Sequence, residues 1–327
     1  MSGRLAAAVV VVFAAGVAAF GWARWSALET TPDPASDLAL PSLFSPREVS
    51  TLTIVASDSS RGVPVLCYHY FRPGFTVGRL ARVLGAVFLN LPTVPDKDFW
   101  TTTAPSFDRQ MAYLHERGFR TIDLEQLVAW QEGWETIPER SVVITIDDGD
   151  RSVVEHAVPV LRKYGYRATL FLITGLAGER SWNDLDLVDW ETLRALESEG
   201  VLRVESHTHG MHSKVRSGGE QVPRFLVECH GESGAPTLDS PLGHDLRHSR
   251  EAIARELGRE SRFLAWPFGF GSAAVDSLAR AAGFERVLTL RPARNPARPL
   301  PTVHRYAITA RTSPVAFRTI VDGLSPR

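Results

Sequence analysis

Cysteine is scarce in this chain, and neither sign of charge is in excess. Two cysteines in 327 residues, Cys67 and Cys229, exclude a disulfide scaffold and a thiolate metal cluster. They leave room for one bridge, although free buried thiols suit the composition better. The 36 basic side chains against 37 acidic ones give a formal charge of −1, without the basic excess by which phosphate-binding domains neutralise nucleic acid. Nucleic acid is therefore not expected as a partner. Apolar side chains are plentiful at 44%, enough to bury a large core and to exclude a mainly disordered chain. A fold of about 300 residues buries roughly 75% of its extended surface, so neither disulfide nor metal is needed merely to fold it.

One long hydrophobic run stands near the start. Residues 5–23, LAAAVVVVFAAGVAAFGWA, carry no charge over 19 positions, with Arg4 before them and Arg24 after. As a helix rising ~1.5 Å per residue, the run would reach about 28 Å, close to the hydrocarbon thickness of a bilayer. A positive residue ahead of such a stretch marks a secretory signal or a signal anchor. Gly21-Trp22-Ala23 is a weak cleavage site, so an uncleaved anchor over residues 1–27 is expected, with the rest extracytoplasmic, at the periplasm or cell surface. Cleavage would make the protein secreted. A buried core helix is disfavoured because no polar face is marked. Residues 28–60 mix Pro, Ser, Asp and Thr without sustained periodicity, as a linker does, and a single catalytic domain is expected over residues 61–327.

From Val63 onward, apolar runs of strand length alternate with capped amphipathic segments, the pattern of a parallel sheet covered by helices. Strands are expected at residues 64–69, at FRTI, at 141–146, at 167–174, at VLRVES, RFLAWP and ERVLTL, and at 304–309. The run SVVITI at 141–146 is uninterrupted and β-branched, which suits a central strand buried on both faces. Helices are expected from after Ser106 to Gly118, at 123–130 with Gly133 as stop, at about 152–164 with Pro159 kinking or shortening it, after Asp189 until Gly200, and near 246–257 and 272–282. Seven to eight strands in one domain predict an α/β fold of the distorted or incomplete (β/α) barrel kind rather than an open doubly wound sheet. Residues 75–103 and 213–243 read as insertions whose loops would line a substrate groove.

Active sites in such folds lie at the C-terminal ends of the strands. Three of those ends are loaded: Asp147-Asp148-Gly149-Asp150 after SVVITI, His207-Thr208-His209-Gly210-Met211-His212 after VLRVES, and His69 after PVLCY. Consecutive carboxylates at the end of an apolar strand repel, a cost that a cation or a proton offsets. A divalent metal would supply the cation. Gly149 would permit the sharp turn that lets both aspartates face one site, which a continuing strand forbids. His207 and His212, five apart, suit a loop folded around an ion better than one face of a helix. One carboxylate with two imidazoles is a three-ligand set with an open position, so His209 is not needed. Each piece alone has an ordinary explanation, the Asp-Asp-Gly as a turn and the histidines as a solvated cluster. Their coincidence at strand ends of one domain favours the site. His156, His230, His244 and His248 lie in helix or loop contexts and are given no role.

These motifs resemble the polysaccharide deacetylases of carbohydrate esterase family 4, the NodB-homology group, over roughly residues 60–325. Ile144-Thr145-Ile146-Asp147-Asp148-Gly149 is similar to the family's Thr-Phe-Asp-Asp-Gly motif, with Ile146 where Phe is usual. Ser206-His207-Thr208 with His212 is similar to its second motif, although the common spacing between the histidines is four. The longer spacing resembles the subgroup that deacetylates poly-β-1,6-N-acetylglucosamine. That subgroup also has an early Tyr-His, matched by Tyr68-His69, and a Trp-Pro-Tyr-Gly stretch, matched by Trp266-Pro267-Phe268-Gly269.

The resemblance implies a metal-dependent hydrolase that removes acetyl groups from an N-acetylglucosamine polymer, either exopolysaccharide or peptidoglycan-like. It implies Asp147 as general base, Asp148, His207 and His212 as metal ligands, the Phe268 backbone N–H as oxyanion donor and His69 as general acid. Zinc suits the ligand set, while nickel, cobalt, manganese and iron accept similar ligands. Two departures stand out. Ala265 replaces an Arg that usually steadies the catalytic Asp, and Arg305, in the late HRYAIT segment, is expected to stand in for it. His304 resembles the usual C-terminal motif and competes with His69, but neighbours on a strand point to opposite faces, so His304 and Arg305 do not both reach the site. The stretch Asp186-Leu187-Val188-Asp189-Trp190 is read as a helix start. Tyr68, Tyr70, Phe71, Trp266, Phe268 and Phe270 are candidates for stacking on sugar rings, or for the core. A catalytically inactive polysaccharide binder, suggested by Ile146 and Ala265, is one alternative. An amidohydrolase-type metallohydrolase, suggested by His207-Thr208-His209, is another, although its His-x-His usually ends the first strand.

Overall fold

A computed structural model describes residues 62–73, 96–231, 234 and 236–323. The expected anchor (1–27), the linker (28–60) and most of the expected insertion at 75–103 lie outside the described residues. The strands, in chain order, are β1 (Val65–Tyr68), β2 (Tyr70–Arg72), β3 (Thr101–Thr103), β4 (Arg120–Thr121), β5 (Ser141–Asp148), β6 (Ala168–Leu172), β7 (Leu202–Ser206), β8 (Lys214–Ser217), β9 (Glu220–Pro223), β10 (Phe263–Ala265), β11 (Arg286–Thr289), β12 (Thr302–His304) and β13 (Tyr306–Ala307).

The main sheet runs β12-β11-β10-β7-β6-β5-β1-β13, with β4 paired to β5. Every pairing in it is parallel. Its two ends, β12 and β13, are consecutive in the chain and separated only by Arg305. The sheet therefore curls into a near-closed (β/α) barrel. The segment 304–309, expected as one strand, is divided because β12 pairs with β11 while β13 pairs with β1. Changing neighbours interrupts the ladder at Arg305.

Register separates two faces. Val65, Cys67, Val143, Thr145, Asp147, Thr169, Phe171, Glu205, Phe263, Ala265 and Val303 share the inner face by pairing and by the period-two alternation of strands. Leu66, Tyr68, Ile144, Ile146, Leu170, Leu172 and Val204 turn outward into a core shared with the surrounding helices. β5, whose eight residues are all buried, is central as its composition predicts. Helix Ala104–Glu116 sets Phe107, Met111 and Leu114, each fully buried, on this outer core. Their i, i+4, i+7 spacing makes one stripe, worth about 1.5–3 kcal/mol per side chain.

Local signals account for most helix ends. Thr103 caps the helix that follows, its hydroxyl accepting from the Ser106 N–H, so that helix begins before the expected Ser106. Asp123 and Gln126 form a capping box at Leu124–Gln131. The segment 152–164 becomes a π-turn, Val153–Ala157, followed by helix Val158–Tyr164, with Pro159 in the first turn, where no N–H is missed. Asp189 caps Trp190–Ser198 by accepting from Thr192 N–H. The reading of 213–243 as a loop needs correction. It holds the β8–β9 hairpin, turned by Gly218 and Gly219 at φ 59° and 89°, a short helix Arg224–Val227, and the start of helix Pro241–Leu257. Both cysteines are free and buried. Among the described residues no helix is long and apolar enough to cross a membrane.

Candidate active site

The C-terminal mouth of the barrel brings together the loaded strand ends. Asp147 continues the inner face of β5. Asp148 turns to the same mouth because its own backbone is left-handed, at φ 71°, followed by Gly149 at φ 93°. The turn expected at Gly149 thus starts one residue earlier. Gly149 is required on two counts, since a Cβ there would lie 2.5 Å from Leu172 Cδ1. Thr208 and Phe268, in the other two site loops, are also left-handed at φ 71° and 62°. Each such residue costs about 1–3 kcal/mol, and strain of this kind clusters at functional sites.

The two aspartates have separate partners. Asp148 Oδ1 lies 3.3 Å from His207 Nε2 and 3.2 Å from His212 Nε2. It is buried without a hydrogen-bond partner among the described residues. Asp148 Oδ2 accepts from the Tyr70 phenol. His207 Nδ1 is 2.8 Å from the Ala265 carbonyl, so Nδ1 is the donor there and Nε2 is the nitrogen that faces Asp148. The three donor atoms lie within 4.8 Å of one another. An orphaned carboxylate oxygen facing two imidazole nitrogens fits a divalent ion. Burial pushes the Asp148 carboxyl up, but His212 and His207 outweigh it and hold it well below the usual range. Burial likewise pushes His212 down, while the nearby Asp148 charge raises it above its ordinary value.

Asp147 belongs to Arg305. Arg305 is fully buried and donates from Nη1 to Asp147 Oδ1 at 2.7 Å and from Nη2 to Oδ2 at 2.9 Å. It also reaches Thr145 Oγ1 at 3.2 Å and lies 5.4 Å over the Phe171 ring. Ala265 occupies the inner face without a long side chain, so the guanidinium arrives from the barrel seam instead. Burial pushes Asp147 up, yet the charges of Arg305, His207 and His69 hold it below its usual value.

His69 stands beside this pair, with donor atoms of Cys67, His69 and Asp147 within 4.8 Å. Its ring lies 4.4 Å from that of Trp100, and Nδ1 is buried without a hydrogen-bond partner among the described residues. Burial lowers its pKa, against the raising effect of Asp147 and Asp148. His304 is on the other face of its strand from Arg305. Burial and then the charges of Arg291 and Arg298 lower its pKa, with neither site aspartate among the influences.

The loop that carries His207 and His212 is held from behind. Asp245, on helix Pro241–Leu257, accepts from the backbone N–H groups of His209 at 2.8 Å and Gly210 at 2.6 Å. Ser249, one turn on, lies 2.6 Å from Ser206 Oγ. These contacts fold the extra residue of the five-residue spacing into a fixed turn. His209 itself faces away, with Nδ1 3.0 Å from Thr174 Oγ1 and its ring 5.7 Å from that of His248. The amidohydrolase-type reading therefore loses its second histidine. His156, His230, His244 and His248 join no candidate ligand group among the described residues.

The sugar-stacking candidates divide. Tyr68 and Phe71 pack on Phe107, and Trp266 is buried against Phe225. Phe268 places its ring 4.9 Å from that of His212. Trp100 on His69 and Trp182, 6.0 Å from His212, are site residues the sequence reading missed. Tyr70 and Asp245 were missed in these roles too. The one sequence signal for Asp245 is its i, i+4 pairing with Ser249 on an otherwise apolar helix face.

Comparison with known proteins agrees with this geometry. Residues 135–287 match the family model described as Polysaccharide deacetylase. A poly-β-1,6-N-acetyl-D-glucosamine N-deacetylase of Staphylococcus aureus (strain MRSA252) is 25% identical over 170 residues, 52% of this chain and 54% of the relative. The Staphylococcus epidermidis enzyme of the same name is 28% identical over the same shares. The chain thus spans about half the length of these curated relatives. Among solved structures, IcaB from Ammonifex degensii superposes with a TM-score of 0.60 at 25% identity, covering 80% of this chain and 96% of that one. A de-N-acetylase from Aggregatibacter actinomycetemcomitans shares the fold with a TM-score of 0.64 at 20% identity, covering 79% and 99%. Family match, barrel and relatives concur that this chain carries a polysaccharide deacetylase domain of the NodB-like kind.

Proposed function

We propose that the domain is a metal-dependent N-deacetylase that hydrolyses the acetamide of an N-acetylhexosamine polymer, of the poly-β-1,6-N-acetylglucosamine kind that names its staphylococcal relatives, and releases acetate. The observation that carries this reading is the division of two adjacent carboxylates. Asp148 offers an orphaned oxygen to two imidazoles, and Asp147 is clamped by a buried arginine beside His69. Asp148, His207 and His212 would hold the ion. When bound, a divalent cation lowers the pKa of water towards about 7 and polarises a carbonyl. Zinc suits the donor set, with nickel, cobalt, manganese and iron as alternatives.

The chain's own groups supply the proton transfers. Arg305 keeps Asp147 ionised and aimed, so that Asp147 takes the proton from the attacking water. The Phe268 backbone N–H faces the oxyanion of the tetrahedral carbon. As the C–N bond breaks, the sugar nitrogen takes a proton from His69 in its imidazolium form, a stronger acid than usual because burial disfavours the charge, and the proton that Asp147 took from water restores that form for the next turnover. One C–N bond is broken, water supplies the hydroxyl of acetic acid, and the amine gains the proton.

The two departures that suggested an inactive binder have physical answers. Ile146 is fully buried in the outer core, away from the mouth, and Arg305 supplies the guanidinium that Ala265 lacks. The arginine-flanked run at residues 5–23 supports an extracytoplasmic, membrane-anchored location, where such a polymer is encountered. The test is acetate release from β-1,6- and β-1,4-linked N-acetylglucosamine oligomers by the purified, metal-loaded chain. Faster release from the β-1,6 series is expected. A metal-bound chain that binds either oligomer and releases no acetate would instead be a polysaccharide-binding protein.

A further inference from the structure

One polar contact at the site has no part in the chemistry just described. Tyr70 lies in β2, directly after His69, with its ring packed on Ile173, Leu185 and Leu187. The backbone around it is fixed by the β2–β3 pairing and by the Phe71 N–H donating to Ser152 Oγ at 3.0 Å. Its phenol donates to Asp148 Oδ2, while Oδ1 alone faces His207 and His212. A carboxylate has two equivalent oxygens and accepts an ion through one or both. Here they are made inequivalent by the hydrogen bond that the phenol gives to one of them.

We propose that Tyr70 is a positioning residue that occupies Asp148 Oδ2 and so presents Asp148 to the ion through Oδ1 only. The inference rests on the metal reading above and deepens it. The segment after β1 then has two duties: His69 serves the leaving group and Tyr70 the ligand carboxylate. Outer partners of this kind commonly change metal affinity by 10–100-fold.

Tyr70→Phe keeps the ring packing and removes only the hydroxyl. Metal-free wild-type chain, Tyr70→Phe and Tyr166→Phe are titrated with zinc against a competing chelator, and with cobalt while the visible absorption is recorded. Tyr166 is a control, since its phenol donates to the Phe119 carbonyl, away from the site. The expected result is a zinc affinity about 10–100-fold weaker for Tyr70→Phe, with a weaker cobalt band per bound ion as the freed Oδ2 joins the coordination. Tyr166→Phe is expected to match wild type in both. Tyr70→Phe binding zinc within twofold of wild type with an unchanged cobalt spectrum overturns the proposal, as does an equal loss in Tyr166→Phe. Wild-type chain that binds no metal overturns the metal reading and this inference with it.

Discussion

Replacing Arg305 with methionine should destabilise the protein severely, and in a pH-dependent way. Methionine fills much of the arginine's volume, so packing on Phe171 is largely kept while the guanidinium is lost. The Arg305 and Asp147 side chains are 0% and 2% exposed, so solvent does not screen their loss. Removing one member of such a pair leaves a buried carboxylate uncompensated, at a cost of about 3–5 kcal/mol. For a domain of this size that corresponds to a fall in Tm of roughly 6–20 °C. In the wild type, Asp147 has a folded pKa below its unfolded value, so its contribution is present at neutral pH and is lost as pH falls through the folded pKa. In the variant, burial acts without Arg305 and raises the folded pKa, so the penalty is largest at neutral pH and is relieved as Asp147 takes up a proton. Urea unfolding of metal-free protein between pH 7 and pH 4 should therefore show the gap between wild type and Arg305→Met narrowing with acid. Adding Asp147→Asn to the variant should recover part of the stability at pH 7. A loss below about 1 kcal/mol, or a gap independent of pH, would refute the reasoning.

Three further outcomes follow from the same geometry. Because Asp148 raises the His212 pKa above the ordinary imidazole range, the ion must displace a proton, and apparent zinc affinity should fall with acid by up to about tenfold per pH unit, starting above that range; chelator competition between pH 5.5 and 7.5 checks this, and a flat profile contradicts it. Burial raises the Asp245 pKa to about 6, above its unfolded value, so its contribution to stability should improve by up to ~3 kcal/mol as pH falls from 7 towards 4; unfolding curves of wild type and Asp245→Asn should differ in that slope. Gly149→Ala should cost about 2–4 kcal/mol, from a left-handed backbone and from overlap with the buried Leu172 side chain, as read by chemical denaturation.

What the sequence shows and what it hides can be traced to particular residues. The barrel was legible because SVVITI at 141–146 and its counterparts are strand-length apolar runs between capped helices, each signal local to its own segment. That Asp147, Asp148, His207 and His212 come together at one mouth was legible for a related reason, since polar residues placed at the ends of apolar strands are read along the chain. Arg305 could be anticipated only because Ala265 leaves a guanidinium missing from a known pattern. Tyr70 and Asp245 were not legible in their roles, because those roles exist only across the fold. Tyr70 meets Asp148 78 positions away and Asp245 meets His209 36 positions away. The β8–β9 hairpin escaped notice because its strands are mostly exposed and lack an apolar face. The division at Arg305 escaped notice because closing a barrel is a property of the whole sheet.

The central claim is that Asp148 holds the ion and Asp147 moves the proton. Metal content and acetate release measured together on zinc-reconstituted wild type, Asp147→Asn and Asp148→Ala test it most directly. The account predicts about one ion per chain in wild type and in Asp147→Asn, with acetate from wild type alone, and neither metal nor acetate from Asp148→Ala. Retained turnover in Asp147→Asn, or a full complement of metal in Asp148→Ala, would contradict it.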